Sequence, residues 1–259
     1  MSDGIKRVMN CYLCHSDKYS VRPGNVRDDK KIDVLECDNC GLVYLSSLSH
    51  INPNHYENSG MHDGGVLDTN KWLKETQNDD ERRYQFVKEK ITNKTVLDFG
   101  CGVGGFLDKA KQSAKEVAGV ELEKALQTSF NERELNVFSN LQLAQENGQM
   151  IIEVPSANDA LLTLYKNQSF QNFTYWSQHL YLFSGQTLSD LIKQSELKLN
   201  WLKYIQRYPL SNHLYWLANG KPGGHHKWSF LNDNQLNKTY ESQLASIGKT
   251  DTLIVGVSR

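Results

Sequence analysis

The spacing of hydrophobic residues changes along the chain from a helical to a strand-like pattern. Between residues 70 and 91, apolar positions recur at helical spacing, which predicts a helix packed on the following domain. The opposite, charged face of that helix contains Glu75, Asp80, Glu81, Arg82 and Arg83. Residues 95–99 and 116–121 are short apolar runs, and residues 136–141 form a third. Such runs are typical of buried strands. Strands alternating with helices predict an α/β fold.

Four of the five cysteines form two C-x-x-C pairs, Cys11 with Cys14 and Cys37 with Cys40, with 22 residues between the pairs. Two such turns bring four thiolates to one ion, and zinc accepts that tetrahedral set in closed, structural sites. Short apolar runs flank the second pair, and Gly41 follows it where a positive φ is often needed. The pattern predicts a zinc ribbon over residues 1–45; iron in the same site and four redox or buried thiols are the alternatives.

The composition narrows the classes of function. Of 259 residues, 29 are Lys or Arg and 30 are Asp or Glu, and both signs interleave between residues 15 and 36, so nucleic acid is an unlikely partner. The sequence has no apolar run of about 18 residues and no signal-peptide core after Met1, which predicts a cytoplasmic protein without a membrane partner. The length corresponds to roughly 1.7 domains.

A glycine-rich loop carries the strongest chemical signal. Residues 100–105, GCGVGG, follow the predicted strand at 95–99 and precede a predicted helix. A strand, a glycine turn and a helix bring backbone N–H groups beside a ligand. Glu121 ends the next predicted strand, 21 residues after Gly100, where a carboxylate accepts the hydroxyls of an adenosyl ribose.

Two cofactors compete for this loop. The glycines Gly100, Gly102 and Gly105 satisfy the G-x-G-x-x-G spacing of an NAD site. However, Asp98 lies just before the turn, where a carboxylate suits an ammonium group better than a pyrophosphate. We therefore favour a cationic ligand and keep an NAD-dependent enzyme as the less favoured hypothesis.

Residues 96–104 (VLDFGCGVG) and 119–121 (GVE) resemble the first two motifs of class I S-adenosylmethionine-dependent methyltransferases. More narrowly, the chain resembles bacterial methyltransferases with an N-terminal zinc-binding segment, many of them associated with sugar or surface-glycan biosynthesis. Residues 151–155, 178–184 and 252–257 resemble later segments of that group. The resemblance covers nearly the whole chain and implies a Rossmann-like methyltransferase sheet with a small N-terminal zinc ribbon. It also implies that Gly100, Gly102 and Gly104 line the methionine part of S-adenosylmethionine, that Glu121 holds the ribose, and that Asp98 orients the loop or meets the amino group.

Methyl transfer aligns an acceptor with the methyl group, and a base of near-neutral pKa assists it, so His179 is the candidate catalytic residue. Related sugar C-methyltransferases carry Tyr and Glu where this chain has Trp176 and Gln178, which weakens a transfer of their carbon-acid mechanism. A histidine bonded to a backbone carbonyl is the alternative. Aromatic and donor side chains suggest an acceptor site; the candidates are Tyr56, Tyr175, Arg207, Tyr208 and His213.

One interval is too short for the fold that the resemblance implies. Only eight residues, 142–149, separate the predicted third strand from the strand near Met150. A crossover to a parallel strand takes a dozen residues or more, and the family places a central strand with a helix on each side there. Two explanations stay open: the protein lacks that unit, or it has residues here that this sequence omits. In either case the sequence contains no residue that we can assign to adenine.

These patterns predict three regions: a zinc ribbon at 1–45, a connector and helical lid at 46–91, and a Rossmann-like S-adenosylmethionine-binding domain at 92–259. The last contains an acceptor-site insertion around 205–230. The predicted function is methyl transfer to a small polar acceptor, with a nucleotide-linked sugar in surface-glycan biosynthesis as the candidate acceptor. A catalytically impaired, methyltransferase-like zinc-containing binding protein is the alternative. The pattern predicts no oligomeric state.

Overall fold

A computed structural model describes residues 10–52, 55, 68–139 and 148–259. Contacts divide the chain into two compact units. We call Met1–His50 with Asn147–Arg259 the cysteine unit, and Ile51–Glu146 the glycine-loop unit.

The cysteine unit contains two sheets and six α-helices among its described residues. The strands are β1 (Tyr19–Val21), β2 (Val34–Cys37), β3 (Val43–Leu45), β7 (Met150–Pro155), β8 (Tyr181–Leu182), β9 (Lys198–Ile205) and β10 (Thr252–Ser258). The helices are α4 (Ala160–Thr163), α5 (Gln168–Thr174), α6 (Gly185–Gln194), α7 (Leu210–Asn219), α8 (Gly224–Lys227) and α9 (Asn234–Ser246).

The first sheet of the cysteine unit joins the N-terminal strands to a distant segment. Its order is β1-β2-β3-β8, and all its pairs are antiparallel. Val43 pairs with Leu182, and apolar side chains on both sides of that pairing share one buried core. The members of this core are Val26, Ile32, Val34, Val43, Leu45, Ala157, Leu162, Tyr175 and Leu182.

The second sheet has the order β7-β10-β9, again antiparallel. Its middle strand β10 is buried from Thr252 to Val257, because both edges are paired and α6 packs on one face. Gly256 lies under the indole of Trp201: a Cβ there would come within 2.3 Å of the ring. The pattern at residues 252–257 therefore reflects a central strand.

The glycine-loop unit is a short parallel α/β layer. It contains α1 (Thr69–Ile91), β4 (Thr95–Phe99), α2 (Gly105–Ala110), β5 (Glu116–Val120), α3 (Gln127–Glu132) and β6 (Val137–Phe138). The sheet order is β4-β5-β6, with both pairs parallel. Helix α1 begins where Asp68 accepts a hydrogen bond from the Lys71 N–H, and it packs against α2.

The predicted α/β class is confirmed, and the predicted strands at 95–99 and 116–121 are β4 and β5. The helix predicted at 70–91 is α1. Of the run at 136–141, only Val137–Phe138 is a strand within the described residues. Among those residues no strand pairs with the outer edge of β4. The three-region boundaries stay a prediction. None of the described helices has the length and apolar composition needed to cross a membrane.

Candidate functional site

The four paired cysteines converge in the cysteine unit. Their sulfur atoms all lie within 4.8 Å of one another, with Cys11 Sγ 3.5 Å from Cys40 Sγ and Cys14 Sγ 3.4 Å from Cys37 Sγ. A tetrahedron of sulfurs about 2.3 Å from a zinc ion has edges of about 3.8 Å. The observed separations fit that ion and exceed the length of a disulfide.

The two cysteine turns share one backbone conformation. His15 and Gly41, which follow the second cysteine of each pair, both have positive φ, 59° and 78°. Each donates its N–H to the carbonyl of the first cysteine of its pair at 2.8 Å. The positive φ predicted for Gly41 is confirmed, and His15 adopts the same turn although it has a Cβ.

The four thiols of the cluster do not ionise equally when no ion is bound. Burial raises the pKa of Cys11. Burial opposes ionisation of Cys14 as well, but hydrogen bonds from Asn39, the Ser16 backbone and neighbouring thiols lower its pKa to about 6. Burial and the other thiols raise the pKa of Cys40. Four neighbouring thiolates repel one another, so a divalent ion would stabilise the set that ionises together.

The glycine loop of the other unit has the backbone that its sequence predicts. Gly100, Gly102 and Gly104 have φ values of 74°, 51° and 76°, a region that L side chains rarely adopt. Gly104 is also the N-cap of α2, and a Cβ on it would approach Leu135 to 2.8 Å. The N–H of Gly100 is bonded to the Val120 carbonyl at 2.8 Å, which ties the loop to β5.

Glu121 lies at the end of β5 and is bonded to the loop. Its Oε2 accepts the N–H of Gly102 at 2.8 Å, and its Oε1 accepts the N–H of Glu123 at 2.9 Å. Both carboxylate oxygens therefore point to the C-terminal edge of the parallel sheet. This is the edge at which α/β proteins bind ligands.

Acidic side chains surround the start of the loop. Burial raises the pKa of Asp98 to about 6; Arg83 opposes this rise, and the nearby charges of Asp80 and Glu121 add to it. Asp80 is 5% exposed, and burial raises its pKa as well. Its Oδ1 lies 3.7 Å from Arg83 Nη1. Asp98 thus lies close enough to both Asp80 and Glu121 for their charges to disfavour its ionisation.

Sequence reasoning assigned Asp80 to the charged face of α1, and that assignment is wrong. Its carboxylate packs against Gly105, where a Cβ would come within 2.2 Å of Oδ2. Asp80, Tyr84, Val87 and Ile91 are the buried residues of α1. Their spacing of four, three and four residues is that of a buried helical stripe, and this spacing is the signal that would have found Asp80.

His179, the predicted base, lies in a turn of the cysteine unit. Its N–H is bonded to the Trp176 carbonyl at 2.9 Å, and its ring meets the Trp176 ring edge-on at 5.5 Å. The Thr174 backbone lies near enough to the imidazole to raise its pKa, as expected for a structural histidine beside a backbone carbonyl.

The charge environment of His179 favours the neutral ring. Partial burial lowers its pKa, and the positive charges of Arg27 and Arg207 lower it further. Asp28 and the Thr174 carbonyl act in the opposite direction. A neutral imidazole has one ring nitrogen that can accept a proton.

Two predicted acceptor residues are buried. Tyr175 is 3% exposed and interacts with Arg22, which also donates to Glu36 at 2.8 Å. His213 is 2% exposed, with Nδ1 2.8 Å from the Tyr240 hydroxyl and Nε2 3.1 Å from the Gln206 side chain. Burial lowers the pKa of His213 to about 4. These contacts place both side chains in the packed interior.

The other predicted acceptor residues are exposed or not described. Arg207 and Tyr208 follow β9, and both donate their N–H groups to the Asp251 carboxylate. Tyr208 is 41% exposed, with the Arg207 guanidinium 5.6 Å from its ring centre. The predicted insertion around 205–230 consists of the end of β9 with α7 and α8. Tyr56 lies outside the described residues.

His225 and His226 have adjacent rings, 4.0 Å apart. Within the described ranges, the cysteine cluster is the one group of His, Cys, Asp or Glu side chains that meets the geometry of a metal site. The histidine pair therefore stays a polar contact of α8.

No family profile matches the sequence, and no curated protein matches it. Several solved structures of methyltransferases overlap it. A SAM dependent methyltransferase from Archaeoglobus fulgidus has 13% identity and a TM-score of 0.43 over 73% of this chain and 99% of its own.

Magnesium protoporphyrin IX methyltransferase from Synechocystis has 11% sequence identity and a TM-score of 0.40. The match covers 80% of this chain and 96% of that enzyme. Geranyl diphosphate C-methyltransferase from Streptomyces coelicolor has 11% sequence identity and a TM-score of 0.42. The match covers 79% of this chain and 88% of that enzyme. These similarities assign no function to this chain.

Proposed function

We propose that this chain binds S-adenosylmethionine at its glycine loop and transfers the methyl group to a small polar acceptor. The bound cofactor would supply an electrophilic methyl group on a positively charged sulfur. The residues of this chain would bind and orient that molecule, and a base would take a proton from the acceptor.

The observation that carries the proposal is the combination of an open glycine backbone with three carboxylates. Asp80, Asp98 and Glu121 all belong to the glycine-loop unit. The charges of Asp80 and Glu121 contribute to the raised pKa of Asp98. Such a charge set favours a cationic ligand and repels a pyrophosphate. S-adenosylmethionine carries an ammonium and a sulfonium, whereas NAD carries two phosphate charges. The acidic loop therefore favours the methyl donor over NAD.

In this proposal each loop residue has a separate task. The positive φ values of Gly100, Gly102 and Gly104 let the backbone approach the methionine part of the cofactor. Glu121 would exchange its bonds to backbone N–H groups for bonds from the ribose hydroxyls. Asp98 would meet the ammonium group or order the loop.

The acceptor side of the proposal concerns the cysteine unit. His179 would act as the base, since its lowered pKa keeps the ring neutral and a neutral imidazole can accept a proton. Arg207 and Tyr208 are exposed and would contact a polar ring or an anionic group. These side chains suit a nucleotide-linked sugar, and we propose that acceptor class with the zinc ion in a purely structural role.

Calorimetric titration tests the cofactor assignment. The zinc-loaded protein is titrated with S-adenosylmethionine, S-adenosylhomocysteine and NAD in turn. We expect binding of the first two and none of NAD. If the folded protein binds neither sulfur compound, the proposal is wrong. Mass spectrometry of nucleotide-linked sugars incubated with the protein and cofactor then tests the acceptor class through the mass of one added methyl group.

A second candidate is a methyltransferase-like, zinc-containing protein that binds the cofactor and does not catalyse methyl transfer. It is favoured by the open edge of β4, where Phe99, next to the glycine loop, is 64% exposed. A cofactor bound there would lack one protein wall within the described part of the chain. Binding of the cofactor without a methylated product would support this candidate.

A further inference from the structure

The turn that carries His179 is held by a loop from the N-terminal part of the chain. This loop, residues 22–33, connects β1 to β2. Its Arg27 N–H donates to the Tyr175 carbonyl at 2.9 Å, and its Asn25 N–H donates to the Asn172 side chain at 2.9 Å. The loop thus forms backbone and side-chain bonds with residues distant by about 150 positions along the sequence.

The strongest of these contacts is a two-point bond from one carboxylate. Asp28 Oδ1 accepts the N–H of Ser177 at 3.0 Å, and Asp28 Oδ2 accepts its hydroxyl at 2.6 Å. We call this pair of bonds the Asp28 clamp. Hydrogen bonds to a carboxylate are about twice as strong as neutral ones, and two together fix orientation as well as distance.

The clamp acts at the base of the His179 turn. Ser177 lies between Trp176, whose carbonyl accepts the His179 N–H, and His179 itself. The Arg27 guanidinium lies 4.2 Å from the Trp176 ring centre, and His50 Nε2 is 2.9 Å from the Ser177 carbonyl. Ser177 lies between Trp176 and His179 in the sequence. Bonds that fix Ser177 therefore also restrain these two residues, whose backbone hydrogen bond sets where the imidazole lies.

Close packing supports the same conclusion. Gly24, with φ 110°, lies so near α5 that a Cβ on it would be 2.8 Å from Gln171 Cβ and 3.0 Å from the Tyr175 ring. The loop can approach the segment before His179 only because a glycine stands there. The same loop also contributes Val26, which is fully buried, to the core that contains Tyr175.

We infer that Asp28 is a positioning residue for His179. The N-terminal part of the cysteine unit, which contains the four paired cysteines, then also holds the His179 turn. The role of the imidazole as base rests on the proposed function; the positioning itself does not. The N-terminal part of the cysteine unit would then assist the reaction without any contact between a metal ion and the substrate.

Amide hydrogen exchange of the zinc-loaded, ligand-free protein tests the positioning. In Asp28→Ala we expect exchange at Ser177 and His179 to accelerate at least about tenfold. Asp28→Asn should stay near the wild-type rate, because the amide oxygen still accepts the Ser177 N–H and the amide nitrogen donates to the hydroxyl. Asp29→Ala is the matched control, because the Asp29 carboxylate accepts the Lys31 N–H within its own loop.

Titration of the His179 ring by NMR separates a specific role from general loosening. Asp28 raises the pKa of His179, whereas Arg27 and Arg207 lower it. Removing the charge in Asp28→Asn should therefore lower that pKa while the turn stays protected. If Asp28→Ala leaves exchange and the imidazole pKa unchanged, the inference is wrong.

A third variant covers the case in which Asp28→Ala does not fold. Ser177→Ala removes the hydroxyl bond and keeps the N–H bond, so we expect a smaller acceleration of exchange than in Asp28→Ala. Methyl transfer is then measured with the variants, where kcat should fall more than KM. If wild-type protein transfers no methyl group but the exchange and pKa results hold, the proposed function fails and the positioning stands.

Discussion

The two units of the chain are stabilised in different ways. In the cysteine unit, β10 has a partner on each edge, and Leu253, Val255 and Val257 are all 0% exposed. In the glycine-loop unit, β4 has a partner on one edge within the described residues, and Leu97 is 39% exposed. Parallel sheets usually have both faces covered, so β4 is the more unusual strand.

The difference shows which interactions each unit depends on. The cysteine unit depends on contacts between distant segments: the thiol cluster, the β3–β8 pair and the loop that holds Ser177. The glycine-loop unit depends on the local order of strand, loop and helix, with α1 packed on α2. Four changes test this contrast.

Loss of the metal should have the largest effect, and it should fall on the cysteine unit. Cys37→Ser removes one of four ligands, so we expect bound zinc to fall from one ion per chain to none. A loss of several kcal/mol should lower the melting temperature of this unit by more than about 10 °C. Metal analysis and calorimetric melting measure both effects.

Cys101 provides the control for that change. It is a buried cysteine of the glycine loop and lies outside the cluster. Cys101→Ser should retain the full zinc content. Unchanged zinc in Cys37→Ser would show that the cluster is not the metal site.

A matched pair of leucines tests the two sheets directly. Leu253→Ala should cost about 2–5 kcal/mol of unfolding free energy, the usual range for a fully buried leucine. Leu97→Ala should cost about 1 kcal/mol or less, since that side chain keeps much of its contact with water. Denaturant unfolding measures both. Equal costs would mean that β4 is covered in solution, and the contrast between the sheets would be lost.

Glu121 affects cofactor binding within the glycine-loop unit. Glu121→Ala removes a charged acceptor, so we expect binding of S-adenosylmethionine to weaken by about 1–3 kcal/mol. Glu116→Ala, at the other and exposed end of β5, should leave it unchanged. Calorimetric titration of the two variants compares them. An unaltered affinity in Glu121→Ala would count against a ribose role.

The smallest effect is a pH dependence that comes from Asp98. Its pKa in the folded chain is about 6, above its ordinary value of 3.8, so the folded state favours the protonated form. That contribution to stability is present at low pH and is lost as the pH rises through about 6. A cationic ligand favours the ionised form, so its affinity should increase over the same window by about tenfold or less.

Titrations at about pH 5 and about pH 7.5 measure this change. In Asp98→Asn the dependence should disappear, and the variant should be more stable than wild type above about pH 6. A wild-type affinity that is constant over this range would separate Asp98 from the bound cation.

Much of the fold was predictable because its signals are local. The two C-x-x-C turns bring sulfurs together through neighbouring residues, and the residue after each pair needs only a positive φ. The strand, the glycine loop and the acid at the end of β5 lie within about 26 residues of one another. The short interval before Met150 was visible in the same way, because it needs only a count of residues.

The remaining features depend on contacts across the chain. Local pattern placed Asp80 in solvent, whereas packing of α1 on α2 buries it against Gly105. It placed His213 in an acceptor site, whereas the side chain is bonded to Tyr240 in the interior. A polar residue shows the same letter whether it faces water or a buried partner, so only the fold distinguishes the two cases.

The sequence by itself determined the metal cluster, the glycine loop and the position of Glu121, because residue spacing fixes which atoms a short turn or strand end presents. Only the tertiary structure decided which carboxylates surround the loop and which residue holds the His179 turn. Asp28 and Ser177 are 149 positions apart, and their bond exists because strand pairing and a shared core bring the two segments together. Such contacts follow from the energy of the whole fold, which no local pattern contains.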